Sequence, residues 1–152
     1  MSSLHQAVAE ATDEVLSTMF FTMLDAPPET AANEPCLRVR VNFRGRWTGT
    51  LALCASLGAS AEMAANFLGL DGPDSPAAPE QEAVAKELAN MICGAALSRL
   101  DNKEVFELLP PVVCELVADE ELPLDTESQV AEQTYGVGAG FLQLKLRLDR
   151  PA

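Results

Sequence analysis

The sequence is poor in the side chains on which most site chemistry rests. It has one histidine, His5, and four cysteines, Cys36, Cys54, Cys93 and Cys114, far apart and without a CxxC pair. A zinc centre of the usual His/Cys kind is therefore excluded. Basic residues are scarce too: 10 stand against 23 acidic ones in 152 residues, leaving a formal net charge of −13. A surface so acidic repels phosphate backbones and anionic lipid, which excludes nucleic acid and membrane surfaces as partners. Long hydrophobic runs are missing as well. The longest uncharged stretch, Trp47 to Ala61, contains Thr, Ser and Gly and falls short of the about 20 apolar residues a spanning helix needs. The opening Met1-Ser2-Ser3-Leu4-His5 lacks the basic start and apolar run of a signal peptide, so the expected location is the cytoplasm.

What the chain does have is material for a core, with 48% apolar residues and a mean hydropathy of +0.08. One domain over residues 1–152 is expected. In a reducing compartment, the four thiols among apolar neighbours read as small core residues.

Helical spacing of Val8, Val15, Leu16, Met19 and Met23 predicts a long amphipathic helix from Leu4 to Leu24, capped by Ser2 or Ser3 and stopped at Ala26-Pro27-Pro28. Leu37, Val39, Val41 and Phe43 then alternate with Arg38, Arg40, Asn42 and Arg44, the period of a half-buried strand. Past the turn Arg44-Gly45-Arg46, the set Trp47, Gly49, Leu51 and Leu53 alternates in the same way, which makes an antiparallel hairpin. A short helix is expected over Ser60 to Leu68, and breakers from Asp71 to Pro79 predict a loop. A second long helix follows from about Pro79 to Leu100, with Glu80 and Glu82 placed to complement its dipole. After it come a short segment at Val105 to Leu109, a strand at Val112 to Val117 and an acidic loop. A closing hairpin spans Val130 to Leu148, turning at Gly136 to Gly140, with Leu142, Leu144, Leu146 and Leu148 inward. Between residues 104 and 132 there are nine acidic residues and no basic one, whereas four of the ten basic residues lie between Arg38 and Arg46. A solvated acidic rim accounts for that segregation.

At an offset of 76, Gln6-Ala7-Val8-Ala9 lies over Glu82-Ala83-Val84-Ala85 and the two apolar stripes coincide. The fold class expected is α+β: two long amphipathic helices packed on an antiparallel sheet, as a pseudo-duplicated helix–hairpin repeat.

On the second helix Glu87 and Asn90 are three apart and share a face beside the apolar stripe. Ala83 and Gly94 bracket them, and neither is large enough to block a partner. With fifteen Glu and five Asn in the chain, chance supplies about half a Glu-x-x-Asn match, so the spacing needs its context. Part of that context is Gly94, which costs the helix about 1 kcal/mol relative to alanine and calls for close packing or a closely approaching partner.

The stretch Glu82-Ala83-Val84-Ala85-Lys86-Glu87-Leu88-Ala89-Asn90-Met91-Ile92-Cys93-Gly94-Ala95-Ala96 resembles the active-site helix of the CheC/CheX/FliY chemotaxis phosphatases, Glu-x-x-Asn followed by small residues. The first helix, ending Ser17-Thr18-Met19-Phe20, is similar to the opening helix of the CheX branch. Two features depart from CheC and FliY: Ala83 stands where many members carry Asp or Ser, and the downstream proline, Pro110 or Pro111, falls slightly early. Both point to the CheX branch. In the first helix Ala11 replaces Glu87 and Glu14 replaces Asn90, so a single site is expected.

The resemblance implies that the chain dephosphorylates the aspartyl phosphate of a CheY-type response regulator, with Glu87 and Asn90 as catalytic pair and Ala83 and Gly94 as partner-facing positions. It implies no cofactor in this chain, Mg²⁺ in the receiver, and a homodimer. The sequence has neither a phosphate-cradling glycine loop nor a nucleophile with its base, which agrees with chemistry lent to a partner's site. The alternative is a non-catalytic receiver-binding or flagellar-switch-like interaction module.

Overall fold

The computed structural model describes residues 3–20, 22–26, 35–69, 76–100, 106–114, 129–138 and 140–149. Its elements, in chain order, are α1 (Leu4–Thr18), β1 (Cys36–Arg44), β2 (Thr48–Ser56), α2 (Leu57–Leu68), α3 (Ala78–Leu100), β3 (Glu107–Leu108), β4 (Val112–Cys114), β5 (Gln129–Val137) and β6 (Gly140–Asp149).

The sheet runs β3-β1-β2-β6-β5, and β4 also pairs with β1, so β3 and β4 share one edge of that strand. The hairpins β1–β2 and β5–β6 meet where β2 pairs antiparallel with β6. In space β1-β2 mirrors β5-β6 about that seam, the arrangement a repeated helix–hairpin unit produces, with β3 and β4 as additions after the second helix. The α+β architecture expected from the sequence is therefore the one observed.

The core lies between the sheet and the helices. Period-two patterning selects its sheet side: Val39, Val41 and Phe43 from β1, Leu51 and Leu53 from β2, and Leu142, Leu144, Leu146 and Leu148 from β6 are all buried. From the helices come Val8, Val15 and Leu16 of α1 and Val84, Leu88, Ile92 and Leu97 of α3. Each leucine so buried contributes about 1.5–3 kcal/mol relative to exposure.

Three details depart from the expectations. First, α1 ends at Thr18, not Leu24, with Met19 as its C-cap residue. Tertiary partners draw the following residues away from the helix axis: Phe20 stacks on Phe67 with ring centroids 4.6 Å apart, and the Asn66 amide donates to the Thr22 hydroxyl at 3.1 Å. Asp25 and Gly136 then exchange backbone hydrogen bonds of 2.8 Å. Met19 and Met23, assigned to the apolar stripe, are consequently 47% and 82% exposed.

Second, α2 begins at Leu57, three residues before the expected Ser60, directly off β2. Ser56 makes this abrupt change possible, since its hydroxyl accepts hydrogen bonds from the Ala59 and Phe141 N–H groups at 3.3 and 3.0 Å. Third, of Cys36, Cys54 and Cys93 only Cys93 is a core thiol, and burial pushes it up to about 12. Cys36 and Cys54 are half-buried; strand parity puts them with Arg38 and Arg40 on the sheet face opposite the core.

Of the loop expected at 71–79, residues 71–75 lie outside the described residues, Pro76 and Ala77 lead into the helix, and Ala78 and Pro79 already belong to α3. Most of the acidic region 104–132 and the strand residues expected at 115–117 also lie outside them.

Candidate functional site

Helix α3 owes its length to its composition. Ala, Leu, Glu, Lys, Gln and Met dominate it, Pro79 sits in its first turn, and no β-branched residue follows Val84 except Ile92. Its N-terminal end is anchored by the Gln81 N–H on the Ala77 carbonyl at 3.0 Å and the Gln81 side-chain amide on the Pro76 carbonyl at 2.9 Å. Glu80 near the start and Arg99 near the end both complement the helix dipole.

On this scaffold Ala83, Glu87, Asn90 and Gly94 fall within a sector of about 60°. The core side of the helix buries Val84, Ala85, Leu88, Ala89, Ile92, Cys93 and Ala96, and Leu97, next to the ridge, is buried as well. Ala83 and Glu87 are exposed, while Asn90 and Gly94 are half-buried. Neither the Glu87 carboxylate nor the Asn90 amide has a side-chain partner among the described residues. The result is a low ridge with one carboxylate and one carboxamide available to an incoming molecule.

Among the described residues nothing in the fold requires a glycine at position 94. A Cβ added there would meet, of those residues, only the Leu108 Cδ2 atom at 4.0 Å, an ordinary contact. By contrast, a Cβ at Gly136 would collide with the Ala26 carbonyl oxygen, so the bridge between Asp25 and Gly136 depends on that glycine. Among the described residues, then, internal close packing, one of the two reasons a glycine could sit within α3, does not account for Gly94.

Leu108 is the neighbour that sequence reasoning did not identify. It is half-buried and pairs with Phe43 at the free edge of β1. Two features hold the short strand β3 there. The Leu109 N–H donates to the Asn42 carbonyl at 2.8 Å, and Arg44 grips Glu107 through two hydrogen bonds of 2.7 and 3.0 Å. The hydrogen-bonded Arg44 guanidinium holds the exposed Glu107 carboxyl below its usual range, and the arginine is raised in turn. No local signal in the sequence brings Leu108 to Gly94; the pairing of β3 with β1 does. Pro110, one of the two candidates for the family's proline, is exposed just beyond β3.

The corresponding positions of α1 look different. Ala11 is fully buried, and Glu14 is occupied by the Arg99 guanidinium, which also lies 3.7 Å from Glu10. That helix offers no free amide or carboxylate at the equivalent place.

Among the described residues no group of three or more His, Cys, Asp or Glu could hold a metal ion. No described helix is long and apolar enough to cross a membrane.

No curated protein matches the sequence. Solved structures do match the fold. A CheX chemotaxis protein from Vibrio vulnificus aligns with a TM-score of 0.74 at 17% identity, covering 97% of each chain. One from Desulfovibrio desulfuricans aligns at 0.73 and 20%, covering 96% of this chain and 99% of that one. The CheX–CheY–BeF3–Mg²⁺ complex from Borrelia burgdorferi aligns at 0.67 and 15%, covering 97% and 99%. The family profile described as "Chemotaxis phosphatase CheX" matches residues 38–132, which include most of β1, all of α3 and the whole Glu87–Gly94 ridge. The chain therefore belongs to the CheX family of chemotaxis phosphatases.

Proposed function

We propose that this protein accelerates hydrolysis of the aspartyl phosphate of a CheY-type response regulator by inserting the ridge of α3 into the receiver's active site. The observation that carries the reading is an Asn90 amide that is half-buried on the flank of α3 and without a side-chain partner among the described residues, in a chain of the CheX family. Asn90 orients a water in line with the phosphorus. The water oxygen forms the new P–O bond, the bond from phosphorus to the aspartyl oxygen breaks, the carboxylate leaves with its electron pair, and the water's protons end on the released phosphate or in solvent. Aspartate is a good leaving group, its conjugate acid having a pKa of about 3.9, so little is asked of the protein beyond positioning.

Glu87 takes a different part. A carboxylate near a phosphoryl group repels it unless a cation intervenes, so Glu87 is assigned to pair with the receiver's active-site lysine and hold the helix in register. Mg²⁺ is assigned to the receiver; in the Borrelia structure CheX is crystallised with CheY, BeF3 and Mg²⁺. A cytoplasmic location and a homodimer belong to the same reading.

The experiment is phosphate release from a phosphorylated CheY-type receiver with and without the protein, and with Asn90→Ala. Acceleration that Asn90→Ala removes, with binding kept, is the expected result. Full acceleration by Asn90→Ala would overturn the mechanism; binding without acceleration by the unmodified protein would make it an interaction module.

A further inference from the structure

Gly94 lies about 6 Å along the helix from Asn90, on the same stripe. Its open side faces Leu108, which reaches it from the edge of the sheet and not from the helix. Together the bare helix backbone at Gly94 and the half-buried Leu108 form a small apolar notch beside the amide. Glu107, the neighbour of Leu108 in β3, has its charge matched by Arg44, which binds both carboxylate oxygens. The strand is also fixed against β1, so Leu108 is presented on a rigid support.

From this geometry we infer that the notch is a docking seat for an apolar side chain of the receiver, one flanking its phosphorylated aspartate, and that Leu108 is a specificity-determining contact for the partner. The inference rests on the assignment of Glu87 and Asn90 to the receiver-facing ridge. A molecule that brings its phosphoryl group to Asn90 must also pass over Gly94, and there it meets Leu108. Any side chain at position 94 would fill the notch, which explains a glycine that costs its helix stability and that no close contact among the described residues requires. A charged residue in the partner would lose its hydration without gaining a counter-charge, so an apolar one fits. Since Leu108 touches no reacting atom, it contributes to capture and not to the chemical step.

The test uses the full chain and a CheY-type receiver that it dephosphorylates. Leu108→Ala should raise the KM for the phosphorylated receiver about tenfold while leaving kcat unchanged, whereas Asn90→Ala should lower kcat. Gly94→Leu should reproduce the rise in KM with the fold intact by circular dichroism. A second measurement needs no variant. In methyl-labelled protein, titration with the receiver loaded with Mg²⁺ and beryllofluoride should shift the Leu108 methyl signals and leave those of Leu146, buried in the core, in place. Unmoved Leu108 methyls in a complex that otherwise forms would overturn the inference, as would a wild-type KM for Leu108→Ala. If Asn90→Ala still abolishes turnover in that case, only the notch is wrong and the proposed mechanism stands. Full activity of Asn90→Ala would instead sink the mechanism, even where Leu108 responds.

Discussion

Arg99 of α3 reaches across to Glu14 of α1, the residue that stands in the first helix where Asn90 stands in the second. The duplicated helices thus have opposite uses for the same position. In α3 it has no side-chain partner among the described residues; in α1 it is tied into an ion pair that joins the two helices. The cation that ties it, Arg99, corresponds in the repeat to Met23, so the two copies have diverged on both sides of the contact.

That pair is partly exposed, with side-chain accessibilities of 26% and 58%. Its contribution should accordingly be small. Glu14→Gln should lower unfolding stability by roughly 0.5 kcal/mol at low salt, and the difference should shrink as salt screens it. Urea midpoints at two salt concentrations measure both effects.

At the ridge, Asn90→Ala should slow stimulated phosphate loss by about 100-fold, the scale of losing one positioning group. Glu87→Ala should weaken binding as well as turnover, and substituting the receiver lysine should make the Glu87 change nearly silent. Stopped-flow phosphate release over a range of receiver concentrations separates the two.

Gly136 should behave unlike Gly94. Gly136→Ala drives a Cβ into the Ala26 carbonyl and should break the bridge to Asp25, costing about 1–3 kcal/mol. Gly94→Ala meets only Leu108 Cδ2 at 4.0 Å and should gain up to about 1 kcal/mol from helix propensity. Thermal unfolding of the two variants should therefore move in opposite directions.

Cys93 makes stability depend on alkaline pH. Burial raises its thiol to about 12 in the folded chain, against 9.0 for the free group. Below pH 9 the thiol is protonated in both states and the folded state keeps its full advantage. Above that, only the unfolded chain releases the proton, so stability falls as pH rises toward 12. Relative to Cys93→Ala, the unmodified protein should lose about 1 kcal/mol between pH 8 and pH 10, read from paired urea titrations. The same burial should leave Cys93 unalkylated by iodoacetamide until the chain unfolds.

Much of the site and fold was legible in local periodicity. A period of two placed Leu142, Leu144, Leu146 and Leu148 on the core, and all four are buried. A period of 3.6 placed Glu87 and Asn90 on one flank of a helix, and the α3 stripe is where they stand. The same alternation had already grouped Cys36 and Cys54 with Arg38 and Arg40 on the outer face; assigning the thiols to the core by residue type overlooked it.

What the chain determined by itself is whatever depends on neighbours a few residues apart: which segments are helices or strands, and which side of each is apolar. The early end of α1, the capture of Glu14 by Arg99 and the arrival of Leu108 beside Gly94 were decided only by the tertiary structure. Each joins segments remote in sequence, and such contacts are set by sheet register and helix packing across the whole molecule, to which no local spacing is sensitive.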